Sequence, residues 1–215
     1  MKKYYVNAAS SSAANPDGSS WLKAFNKLQP AVDAAAAAGG GEVWVAAGTY
    51  TATTDPVLTM KEGVFLYGGF VGNESLLEER DWQGNVTTID GEKKRRCVIG
   101  ADNARLDGFT IARGFATEYG GGMYNYESSP EVTDCTFTEN TASYDGGGMY
   151  NYKSSPSVTN CTFTGNTSWW RGGGMYNYES SPEVTDCTFT NNTASSDGAG
   201  MYNDESSPAV TNCIL

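Results

Sequence analysis

GGGMYNYESSPEVTDCTFTEN runs from Gly120 to Asn140, returns almost unchanged from Gly146 and from Gly172, and starts again at Gly198. Met123, Met149, Met175 and Met201 fall 26 residues apart, and so do Cys135, Cys161, Cys187 and Cys213. A strict period between about 20 and 50 residues is the mark of a solenoid. Within a unit, Met and Asn alternate with two tyrosines in GMYNY, and Cys and Phe alternate with two threonines in CTFT. Such period-two patterns are strand signals, while ESSP, KSSP and DGG are turn chemistry. Each unit therefore reads as two or three short strands, and no helical stripe exists between 120 and 215. The expectation is an all-β solenoid, a right-handed parallel β-helix of 26-residue coils. Each strand would pair with its copy about 4.8 Å along the axis.

If coils stack, residues 26 apart are neighbours. Glu127, Lys153, Glu179 and Glu205 form one such column, and Asp145, Arg171 and Asp197 another. Asp134, Asn160, Asp186 and Asn212 form a third. Opposite or neutral neighbours relieve the repulsion of stacked like charges, and only the Glu179–Glu205 step lacks that relief. Upstream the pattern weakens but persists. RLDGFTIARG (105–114) aligns with EVTDCTFTEN (131–140), placing Leu106 on Val132, Phe109 on Cys135 and Ile111 on Phe137. EVWVAAGTY (42–50), GVFLYGGF (63–70), TTIDG (87–91) and CVIG (97–100) read as strands of less regular coils. Ser20 to Ala38 reads as an amphipathic helix capped by Ser19 or Ser20. Leu22, Phe25, Leu28 and Val32 would share one face, Pro30 would kink it, and Gly39–Gly41 would end it. One continuous domain results: strand and capping helix over 1–41, irregular coils over 42–119, regular repeats over 120–215.

Composition narrows the function. The chain of 215 residues carries a net charge of −11, which disfavours nucleic acid and anionic membrane surfaces. No apolar run is long enough for a membrane-spanning helix, and the N-terminus has no signal-peptide h-region. Either the protein stays in the cytoplasm or this chain is a mature or trimmed form. Histidine is absent, which removes the commonest general base and metal ligand.

The motifs FTEN, FTGN and FTNN resemble the FxxN motif of chlamydial polymorphic outer-membrane proteins. GGGM is similar to their GGA-plus-aliphatic motif, with Gly for Ala and Met in the last place. NPDGSSWLKAFNKLQPAVDAA, EVWVAAGTY, LYGGFVGNE, ERDW and LDGFTI resemble the opening of secreted bacterial β-helix proteins of the pectate-lyase-like superfamily. The resemblance implies a surface or secreted location and often adhesion.

The columns supply the candidate sites. Cys135, Cys161, Cys187 and Cys213 share a face with the Phe column, so they are expected inward, as free thiols. Copies about 4.8 Å apart miss disulfide geometry. Asn125, Asn151, Asn177 and Asn203, with Asn140, Asn166 and Asn192, are expected to form hydrogen-bonded ladders at the bends. With Met inward, Tyr124, Tyr126, Tyr150, Tyr152, Tyr176, Tyr178 and Tyr202 would line one outer face, beside Trp169 and Trp170. Exposed contiguous aromatic area marks an interaction site for a sugar face or a protein. The outward Thr136/Thr138, Thr162/Thr164 and Thr188/Thr190 pairs resemble the T-x-T arrays of β-helical ice-binding faces. A catalytic site should depart from the repeat, and the acidic columns are periodic. The irregular loop from Gly72 to Arg96, with Glu78, Glu79, Asp81, Asp90 and Arg80, is the one place where such a site would lie. The resulting expectation is a non-catalytic cell-surface or secreted scaffold without cofactor or metal, binding a glycan or protein through the Tyr face. The alternatives are a polysaccharide lyase or hydrolase sited in the 72–96 loop, and a self-assembling or ice-binding protein. End-to-end association at the C-terminal coil is a possible contact.

Overall fold

The computed structural model describes residues 1–10 and 16–215, so Asn15, which opens the NPDGSSW stretch, lies outside the described residues. Among the described residues every pairing between strands is parallel, and the chain winds as a solenoid with four sheets along its length. One sheet has eight strands, from Lys3–Val6 to Ala209–Thr211, so the chain completes seven turns. Two sheets have six strands each, Leu58–Thr59 to Met201–Asp204 and Gly48–Tyr50 to Thr188–Thr190. A fourth sheet has four strands, Phe115–Ala116 to Thr193–Ala194. A regular coil thus carries four strands rather than two or three. In the first these are Met123–Tyr126, Glu131–Thr133, Thr136–Thr138 and the two-residue Thr141–Ala142.

Copies pair in perfect register: Met123 with Met149, Val132 with Val158, Phe137 with Phe163. The register partners Val43, Leu66, Leu106 and Val132 are 23, 40 and 26 residues apart along the chain. The long interval holds an insertion between Phe70 and Thr87, at the corner where regular coils spend only a couple of residues. Met, Val, Cys and Phe columns face a single core that also takes in Leu106, Ile111 and Ile89. Phe137, Phe163 and Phe189 stack with centroids 4.6 Å apart and planes within 4°. Each buried Phe is worth about 1.5–3 kcal/mol of transfer free energy, but only when the next coil covers it.

The corners explain two of the charged columns, those of Glu127 and Asp134. Within one coil Gly120, Glu127, Asp134 and Glu139 all have left-handed backbone, with φ of 64°, 47°, 54° and 53°. Their copies Lys153, Glu179, Glu205, Asn160, Asp186 and Asn212 do the same. Asn and Asp tolerate this conformation. At Gly146 a Cβ would come within 2.6 Å of the Met149 carbonyl oxygen, which makes that corner glycine-only. Charge relief is secondary: Lys153 meets Glu179 at 3.7 Å on the surface, a pair worth little.

The helix is shorter than its periodicity predicts. Helix α1 spans Leu28–Ala37 and buries Leu28, Ala31, Val32 and Ala35. Leu22 is exposed, in a 3-10 turn over Trp21–Lys23. Phe25 bonds instead to the first strand: its N–H donates to the Tyr5 carbonyl and its own carbonyl accepts from Asn7. Pairing with the sheet overrides the helical stripe, so neither Ser19 nor Ser20 caps a helix from there. Pro30 falls in the first turn of α1, where no intrahelical donor is lost, and causes no kink. The glycines do end it: Gly40 N–H reaches the Ala35 carbonyl and Gly39 N–H that of Ala36, a Schellman motif with Gly39 left-handed. Gln29 of α1 then closes a sheet edge. Its amide oxygen accepts from Thr59 N–H at 2.8 Å and its amide nitrogen donates to the Thr59 carbonyl at 3.1 Å. At the other end Val210, Ile214 and Leu215 are exposed.

Candidate binding surface

The MYNY strand sets the aromatic face. Met123 and Asn125 point inward, so both tyrosines must point out. Tyr124, Tyr150, Tyr176 and Tyr202 stack with centroids 5.5, 5.3 and 5.5 Å apart and planes within 13°. Tyr126, Tyr152 and Tyr178 form a looser column at 4.9 and 5.5 Å. This corrects the expectation of seven exposed phenols. Tyr150 and Tyr176 are only 6% exposed, whereas Tyr126 is open to solvent. Tyr119 packs 4.7 Å from Tyr150, and Arg96 and Arg171 lie over the Tyr124 and Tyr202 rings. The physical cause is register: identical rings at strand spacing cover each other's faces, leaving edges and hydroxyls outward. Burial pushes both phenols well above their ordinary value, aided by the neighbouring tyrosines at Tyr150 and by Asp145 and Asp204 at Tyr176.

Trp169 and Trp170 stand differently. They are 57% and 55% exposed, on the turn between Thr167–Ser168 and Met175–Tyr178. That turn stacks in register with its neighbours: Trp170 N–H donates to the Tyr144 carbonyl and Ser196 N–H to that of Trp170. Trp169 therefore has Ser143 and Ser195 as its column neighbours, and Trp170 has Tyr144 and Ser196. Among the described residues no ring stacks on either indole; only the Arg171 guanidinium lies near Trp170, 5.8 Å from its centroid.

Carboxylates rim this turn. Asp145 accepts the Arg171 N–H at 3.0 Å, while the Arg171 side chain lies 3.6 Å from Asp197 and 3.9 Å from Asp204. Tyr176 donates its hydroxyl to Asp204 at 3.3 Å. Burial raises the Asp145 carboxyl above its usual range, against the pull of Arg171. Asp204 occupies the place that Tyr126, Tyr152 and Tyr178 hold in earlier coils. Tyr119, Tyr144 and Arg96 belong to this surface and were not singled out by the repeat. Extending the 26-residue columns through Asp145 and Trp170 would have found the two tyrosines.

The remaining columns sit inside. Asn125 donates to Asn151, Asn151 to Asn177 and Asn177 to Asn203, at 2.7–2.8 Å. This ladder runs through strand centres rather than bends. The second does occupy a bend: Asn140 and Asn166 donate to the Ile111 and Phe137 carbonyls, and to Asn166 and Asn192. All five cysteines are free, and Cys135, Cys161 and Cys187 are buried. The thiols donate to nearby carbonyls such as those of Thr133 and Thr159.

In the insertion, carboxylates serve the backbone. Glu74 collects the N–H groups of Val71, Gly72 and Asn73, and Glu79 those of Ser75 and Leu76. Arg80 ties the loop down through Asp107 at 2.5 Å, and Asp90 pairs with Arg113. The outward threonine column is longer than the repeat suggested, running Thr49, Thr88, Thr110, Thr136, Thr162 and Thr188. Trp82 and Val86 of the insertion line a shallow cavity together with Thr110 and Thr136.

Residues 84–215 match the family described as the right handed beta helix region, and the chain belongs to that family. The solenoid is thus a right-handed parallel β-helix. No curated protein and no solved structure matches the chain.

Proposed function

We propose that this chain is a non-catalytic β-helix scaffold, secreted or held at a cell surface. It presents the Trp169–Trp170 turn and the adjoining Tyr wall to a glycan or protein partner. One observation carries the reading. In a chain of near-identical coils, the strongest departures from the repeat meet in space. Trp169, Trp170 and Arg171 replace Ser-Tyr-Asp and Ser-Ser-Asp of the neighbouring coils, and Asp204 replaces a tyrosine. Arg171 and Asp204, 33 residues apart, lie 3.9 Å from each other. The repeat itself demands none of these residues. Exposed indoles beside a polar rim are typical of recognition surfaces.

The test is co-sedimentation and tryptophan fluorescence titration against neutral, amino-bearing and uronate polysaccharides. New reducing or unsaturated ends are assayed in parallel. Retention without cleavage, lost in Trp169→Ala with Trp170→Ala, supports the reading. Cleavage would transfer the function to an enzymatic site. Binding that survives the double substitution would remove the aromatic turn from the function.

A further inference from the structure

Resting on that reading, we infer that the slots flanking the Trp169 indole receive pyranose rings of a glycan that carries no negative charge. The argument starts from the ladder. In the inner column Tyr150 has Tyr124 and Tyr176 in the coils on both sides, the rings sit 5.3–5.5 Å apart, and the ring is nearly buried. Trp169 has Ser143 and Ser195 in those positions. The volume that a ring fills in the Tyr column is therefore open beside the indole. Coils repeat every 4.7–4.9 Å or so, which leaves room for one ring-thick group against an indole face. A pyranose is such a group. Its C–H face packs on the aromatic surface, and its equatorial hydroxyls project to the sides, where hydrogen-bonding partners are needed.

Those partners are acidic. Asp145, Asp197 and Asp204 surround the turn, and Glu118 continues the column of Tyr144 and Trp170. Ser196 donates its hydroxyl to Asp197 at 2.7 Å. Arg171 is the one cation among them, and its guanidinium is already paired with two carboxylates, Asp197 and Asp204, while Asp145 holds its backbone N–H. Carboxylates accept hydrogen bonds from sugar hydroxyls and attract ammonium groups, and they repel uronates, sulfates and phosphates. The chain's net charge of −11 acts in the same direction at longer range. Neutral and amino-bearing chains share the chemistry that fits.

The experiment uses the full chain with three soluble oligosaccharide series of similar length: neutral glucans, glucosamine oligomers and galacturonate oligomers. Binding is followed by calorimetry at two salt concentrations. We expect the neutral series to bind with little salt dependence. The glucosamine series should bind at least as tightly and weaken with salt, and the galacturonates at least tenfold more weakly. Ser143→Tyr with Ser195→Tyr should continue the ladder across the slots and lower neutral-glucan affinity at least tenfold. Its circular dichroism and unfolding midpoint should stay those of the parent. Galacturonates binding as well as glucans, and losing affinity in Trp169→Ala, would overturn the charge inference while leaving the aromatic surface in place. Undiminished glucan binding in the folded Tyr variant would overturn the slots. Failure of all three series to bind would overturn the glycan inference and leave a protein partner for the same surface.

Discussion

Tyr150 and Trp169 are 19 residues apart, less than one 26-residue turn, and both are large aromatics directed outward. Tyr150 is sandwiched between Tyr124 and Tyr176 and is nearly buried; Trp169 stands between serines and is more than half exposed. A residue that repeats is covered by its own copies, because the register places each copy one strand spacing away. A residue that departs from the repeat has nothing of its own shape beside it, and its faces stay available. In this fold repetition builds structure, and exceptions create surface that can recognise something else.

The contrast can be broken by measurement. Tyr150→Ala should cost about 3 kcal/mol, since it opens a cavity between two stacked rings; a denaturation midpoint unchanged from the parent would put that ring in the same class as Trp169. Asn151→Ala should cost about 2 kcal/mol, because it strands the Asn125 donor and the Asn177 acceptor inside the core. Proteolysis should then open the C-terminal coils first. Ser168→Ala should work in the opposite direction. The Ser168 hydroxyl is buried without a hydrogen-bond partner, where the neighbouring coils carry Ala142 and Ala194. Restoring the repeat there should stabilise by about 1 kcal/mol, read as a higher midpoint in urea.

The insertion gives a subtler effect. Burial pushes Glu74 up, but the N–H groups of Val71, Gly72 and Asn73 together bring its carboxyl below the ordinary range. A depressed folded value means that the stabilisation is present above the unfolded Glu pKa and is lost as pH falls through the lower folded one. Amide exchange at Val71–Asn73 should therefore accelerate, beyond the intrinsic rate, below the ordinary Glu range while the core strands stay protected. Glu74→Gln should show the loosened loop at neutral pH. The smallest change in stability is expected where the largest change in binding is. Trp169→Ala with Trp170→Ala should move the unfolding free energy by no more than about 0.5 kcal/mol, as for other exposed sites. A loss of several kcal/mol would make those indoles structural and erase the distinction.

Much of this architecture was legible in the period. Columns spaced by 26 predicted the partners of Met123, Val132 and Phe137, and period-two alternation predicted which side chains face in. The two-residue strand Thr141–Ala142 escaped because two residues carry no alternation. The Glu127 and Asp134 columns look electrostatic in the sequence although the backbone turns its corners on them, because a left-handed φ leaves no mark in a Glu or Lys. The helix was drawn eight residues too early because Phe25 fits a helical stripe as well as it fits a pairing with Tyr5 and Asn7.

By itself the sequence determined the repeat, and with it the parallel pairing, the inward and outward faces and the continuous core. Those properties follow from local alternation and from identical units stacking in one register. Only the tertiary structure decided which outward aromatics are free. That depends on what the adjacent coils place beside each ring: tyrosine against Tyr150, serine against Trp169. It also decided that Arg171 and Asp204 meet, since their encounter requires the turn of one coil to lie over the strand of the next.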